Sequence, residues 1–119
     1  MSREKHTRPL GDGRRSLWWT DRLWALAANL PTIRVPLADI PELEMDCWFA
    51  ERHAPTIREV AGHAQRIIDA DPSYPIIFCA EGRLMDGGHR LAKAFLASAT
   101  EIDAVRFPVT PEPDEILPG

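Results

Sequence analysis

Cysteine is scarce in this chain: Cys47 and Cys79 are the only two in 119 residues, and they stand at no spacing that holds a metal. A disulfide scaffold is excluded and a reducing compartment fits, with Cys79 expected to pack as a small hydrophobe inside its apolar stretch. Apolar runs are short, none nearing the roughly twenty residues a membrane helix needs. No secretory pattern opens the chain either, so a cytoplasmic protein with no membrane partner is expected. An excess of positive charge is also missing. The net charge of −4 offers nucleic acid no general attraction, and specific DNA binding is not expected. There are no internal repeats. With 45% hydrophobic and 27% charged residues, the composition suits one globular domain with a real core.

The ends read as tails. Residues 1–15 carry Arg3, Lys5, Arg8, Arg14 and Arg15 with little that is apolar, which predicts a flexible basic tail. Residues 108–119 hold Pro108, Pro111, Pro113 and Pro118 among Glu112, Asp114 and Glu115, an extended acidic tail. The single domain is expected over residues 16–107. Its first element is an amphipathic helix from Leu17 to Leu30, with Trp19, Leu23, Leu26 and Leu30 at helical spacing and Trp18 and Trp24 beside them. Either Ser16 or Thr20 caps it, and Pro31 ends it. The tryptophans read as core or as a homo-oligomer interface rather than a base-stacking platform.

Thr32 to Leu37 alternates like a half-buried strand. Asp39, Glu42, Glu44 and Asp46 follow among apolar anchors. They form either a solvated acidic face or a place for a functional carboxylate. Thr56 and Glu59 make a capping box opening a helix, along which Ile57, Val60, Ala61, Ala64, Ile67 and Ile68 form one stripe. Arg58 and His63 are expected on its solvated side. Ile76 to Ala80, apolar at every position, predicts a strand covered on both faces. Glu81-Gly82 predicts a hairpin turn to a return strand from Arg83 to Asp86. A helix from about His89 to Ser98 is expected to bury Leu91, Ala94 and Phe95, before a closing strand from Glu101 to Phe107.

Asp86-Gly87-Gly88-His89-Arg90 joins strand to helix. Paired glycines admit a ligand close to the backbone, and the unpaired first N–H groups of a helix attract an anion. His89 and Arg90 stand where they could grip the same phosphate, and Lys93 falls on the face of His89 one turn later. A glycine turn beside a solvated His and Arg is the structural alternative.

This motif, the strand and hairpin before it and the helix and strand after it resemble the ParB/sulfiredoxin superfamily, from about Thr32 to Phe107. The resemblance implies an α+β fold, a small mixed sheet flanked by helices, here with an extra N-terminal helix. It implies that Asp86, Gly87, Gly88, His89, Arg90 and Lys93 hold the phosphates of a nucleotide (ATP, ADP or CTP), with Mg²⁺. Sulfiredoxins carry a nucleophilic cysteine where Gly88 stands, so sulfinic-acid reduction is not expected. ParB proteins carry Gly-Glu-Arg-Arg and a later arginine where this chain has Gly87-Gly88-His89-Arg90 and Ala92, and their DNA reader has no room here. The superfamily's free-serine kinases carry Asp-Gly-His-His-Arg, the nearest motif, from which only Gly88 departs. They place a carboxylate after the first strand, which makes Glu42 and Glu44 candidates for the general base or for Mg²⁺. The function implied is a phosphotransferase acting on a small hydroxylated molecule. The alternative is a non-catalytic nucleotide-sensing or protein-interaction module.

Overall fold

The computed structural model describes residues 3–49 and 54–119. The fold is α+β. Its centre is a four-stranded mixed sheet built from β3 (Ile33–Pro36), β4 (Ile76–Phe78), β5 (Leu84–Asp86) and β6 (Glu101–Arg106). The strand order is β3-β6-β4-β5, with β6 antiparallel to β3 and parallel to β4, and with β4 and β5 antiparallel. Successive strand residues point to opposite faces, so an uninterrupted apolar run needs cover on both. The run from Ile76 to Cys79 has it. Ile77 and Cys79 pack with Met85, Val105 and Phe107 against Trp18, Leu23 and Ala27. Ile76 and Phe78 pack with Ile102 and Ala104 against Leu37, Ile40 and Leu91. The first face is thus covered by α1 (Thr20–Ala27), and the second by α3 (Gly88–Leu96) together with the short 3₁₀ turns Leu37–Asp39 and Pro41–Glu44.

Both expected tails prove structured. β1 (Lys5–Pro9) and β2 (Arg15–Trp19) form an antiparallel hairpin, and β7 (Glu115–Leu117) pairs with the other edge of β2. Met1 and Ser2 lie outside the described residues. The hairpin turns through Gly11 and Gly13, both at left-handed φ, while the Asp12 carboxylate accepts from the backbone N–H and Nε of Arg14. The arginines that suggested a tail lie along the hairpin: Arg15 donates to Thr7 Oγ1, and Arg8 lies over the Trp18 ring. The C-terminal segment is fastened to β2 as well. Pro111 O accepts from Trp18 Nε1 at 2.8 Å, and the Asp114 carboxylate accepts from the Trp19 N–H at 2.9 Å.

These pairings shorten the first helix. Leu17, Trp18 and Trp19 belong to β2, where Leu17 and Trp18 are buried, and α1 begins only at Thr20. Trp19 occupies the N-cap position with extended backbone and no capping side chain, so neither Ser16 nor Thr20 caps the helix. Ile77 and Cys79 are buried as expected, and Gly82, at left-handed φ, makes the turn into β5.

The other helices bring one agreement and two corrections. α2 (Ile57–Asp69) opens with the capping box: Thr56 Oγ1 accepts from the Glu59 N–H, and Glu59 Oε1 accepts from the Thr56 N–H. Its apolar stripe, however, is not buried. In α3, Leu91 is buried and Ala94 packs against the core, but Phe95 is exposed. Phe95 lies one turn beyond Leu91 on the same side of the helix, where the contacts with the core have ended.

Candidate functional site

A groove of about 370 Å³ lies between the acidic segment after β3 and the start of α3. Its walls include Leu43, Trp48, Phe49 and Leu91, and Gly88 forms its end at the first turn of α3. Gly87 occupies the N-cap of α3 at φ 111° and offers no side chain. A Cβ there would approach Ile76 Cγ2 to 2.5 Å, so both the backbone and the packing require glycine. Gly88 is needed differently. A Cβ on it would meet the Trp48 Nε1 at 3.1 Å, so the indole occupies the room a side chain would take.

Glu42 lines this groove and is only 7% exposed. Its Oε2 accepts from the Leu84 N–H at 3.0 Å and from Arg83 Nε at 3.1 Å, while Oε1 is buried without a hydrogen-bond partner among the described residues. Burial by itself would push this carboxyl up, but the N–H groups of Leu84 and Glu42 and the Arg83 guanidinium outweigh it and hold the group below its ordinary range. The side chain is therefore an ionised carboxylate at neutral pH. Glu44, the other candidate, is exposed and does not line the groove. Cys47 does line it, yet burial and the charges of Glu42 and Asp46 push its thiol up and keep it protonated.

The cationic side chains of the motif are engaged elsewhere. Arg90 Nη2 donates to Asp86 Oδ2 at 2.8 Å and to Pro75 O at 3.2 Å, and the guanidinium lies 5.0 Å from the centre of the Trp24 ring. Asp86 also accepts from Trp24 Nε1 at 2.9 Å. An arginine in a first turn opposes the helix dipole, and these contacts offset that cost. Here it ties α3 to α1 and to the loop before β4. Lys93 Nζ donates to Ile68 O and Ala70 O, both at 2.8 Å, and so caps the end of α2.

His89 takes part in a contact between distant segments. His63 Nδ1 lies 2.8 Å from His89 Nε2, and the two rings are within 9° of parallel. The Trp48 indole stacks on both, with centroids 4.7 Å away in each case. Burial first, then the charges of Arg66, His63 and Arg90, pushes His89 down to about 4. Burial and Arg66 lower His63 as well, against Glu59. The pair is neutral at neutral pH, with one ring donating to the other. Trp48 was not a candidate in the sequence, and His63, expected on the solvated side of its helix, is half-buried against Trp48 and His89 instead; the one cue was that it falls off the apolar stripe. Arg58 is exposed, as its place in the first turn suggested.

Among the described residues no group of three His, Cys, Asp or Glu side chains is placed to hold a metal ion, and no helix is long and apolar enough to cross a membrane. No family model, curated protein or solved structure matches the chain.

Proposed function

We propose that this chain binds a nucleotide with its phosphates at the first turn of α3 and transfers a phosphoryl group to a small hydroxylated molecule held in the groove. The observation that carries the reading is Glu42. A buried carboxylate oxygen without a donor costs on the order of 1–3 kcal/mol. A ligand that supplies the missing hydrogen bond would account for it. An acceptor hydroxyl would donate to Glu42 and attack the terminal phosphorus, its proton passing to the carboxylate as the bond to the leaving nucleotide breaks. The transition state of such a transfer is loose, so a weakly basic carboxylate suffices and positioning matters most. The uncapped N–H groups of α3 and its dipole would hold the phosphates. Mg²⁺ would arrive with the nucleotide, keeping water and phosphate oxygens as most of its ligands.

The test is thermal stability with ATP, ADP and CTP, each with and without Mg²⁺, followed by turnover with small alcohols. Ligand at 100 times its Kd adds about 2.7 kcal/mol. Glu42→Gln should keep nucleotide binding and lose turnover, whereas Glu44→Gln should keep both. No stabilisation by any of the three nucleotides at millimolar concentration overturns the proposal. A second reading, a nucleotide-sensing module without catalysis, is favoured by the engagement of Arg90 and Lys93 in the fold, which leaves phosphate binding to backbone groups. Binding without product formation selects it.

A further inference from the structure

α2 has three sides, and the arrangement of its residues distinguishes them. At about 100° per residue, Glu59, His63 and Ile67 share the half-buried side, where His63 meets His89. Arg58, Gly62, Gln65 and Asp69 form a polar side. Ile57, Val60, Ala61, Ala64 and Ile68 form a third, all exposed, with Ile57 at 90% and Ile68 at 66%. The helix thus rests on the protein by an edge and turns its apolar stripe outward. An apolar face of this length is unusual on a monomer and marks a contact.

We propose that this face joins two copies of the chain, with the α2 helices antiparallel across a two-fold axis. The contact would be isologous, so the face must complement itself. Its flanking charges favour the antiparallel direction. An antiparallel pair centred between Ala61 and Ala64 sets Ile57 against Ile68 of the second copy, with the small alanines at the crossing, where they let the helices approach closely. The polar side flanking the stripe carries Arg58 near its start and Asp69 near its end. Antiparallel pairing brings Arg58 beside Asp69 of the second copy, twice. A parallel two-fold pair would put the two polar sides on opposite sides of the contact, where Arg58 and Asp69 find no such partner. The 13 residues of α2 make a rod about 20 Å long. A contact along one side of such a rod buries less than the roughly 800 Å² per partner of a standard interface, so the dimer is reversible and concentration-dependent. The tryptophans of the N-terminal segment are not needed for it: Trp18 is buried within the chain, and Trp24 bonds to Asp86.

Sedimentation of the full chain from micromolar to millimolar concentration tests this. The expected result is a monomer–dimer equilibrium, weakened at least about tenfold by Ile57→Glu, with unchanged circular dichroism and Tm. Arg58→Asp and Asp69→Arg should each weaken the dimer several-fold, and the two together should restore it. The swap distinguishes the antiparallel arrangement from any general stickiness, and neither position lies in the core. A monomer at every concentration overturns the proposal and leaves the face to a different protein. A dimer indifferent to Ile57→Glu, or one not restored by the charge swap, overturns it too.

Discussion

α2 begins with Thr56 and Glu59 exchanging hydrogen bonds with each other's backbone, whereas α3 begins at Gly87, which has no side chain to exchange. The contrast continues at their far sides. α3 buries Leu91 in the core, while no residue of α2 is fully buried and its end is capped by Lys93 from α3. One helix is sealed locally and leaves its apolar face open; the other is anchored by its face and leaves its first turn open. A capped helix end satisfies its own N–H groups, whereas the start of α3 receives no side-chain cap from its N-cap residue.

Acid should break the comparison most, because the His63–His89 pair is the seam between the helices. His89 and His6 are each pushed down to about 4, in both cases chiefly by burial, and His63 is lowered too. A histidine depressed in the folded state takes up its proton more readily when unfolded. The stability it contributes is therefore complete above about pH 6.5 and is lost as pH falls towards about 4. Roughly 1–3 kcal/mol for each strongly shifted ring is the expected scale. Urea titrations at pH 7.5, 6 and 5 check it, and a flat profile would show the seam to be open in solution.

Next in size is Gly87→Ala. A left-handed backbone and a Cβ 2.5 Å from Ile76 Cγ2 together should destabilise the protein by about 3 kcal/mol, read from the urea midpoint. Arg90→Ala leaves the largely buried Asp86 with Trp24 alone and should cost roughly 2 kcal/mol. A double-mutant cycle with Asp86→Asn isolates their coupling, and a value near zero would release Arg90 for a phosphate. Smallest are the two ends of α2. Thr56→Ala and Lys93→Ala should each cost about 1 kcal/mol and add independently.

Local chemistry was legible in the sequence wherever neighbours along the chain decide it. The Thr56–Glu59 box, the apolar run through Ile77 and the Gly82 turn depend on residues a few positions apart. The hairpin of residues 5–19 is local too, folding across Gly11 and Gly13, but arginines with neither period concealed it; only the pairing of β2 with β7 spans almost a hundred positions. Phe95 was assigned to the core because helical spacing locates a stripe without saying how far the sheet beneath it extends. In the site, the glycines of the motif could be read directly. The burial of Glu42 could not, since it depends on Leu84 closing over it from β5. Nor could the stacking of Trp48 on His63 and His89, which joins three segments. Arg90 was assigned to a ligand because its partners, Asp86 apart, lie outside its own helix.

β7 also acts as a guard. Its three residues cover the outer edge of β2, and Pro111 and Asp114 hold the approach to it. A chain cut after Phe107, as its proline-rich composition invites, would leave β2 with a bare row of N–H and C=O groups and Trp18 uncovered beside them. Such an edge recruits strands from other molecules. The short acidic segment that looks most dispensable therefore covers the edge of β2, and forms truncated after Phe107 should aggregate more readily than the full chain.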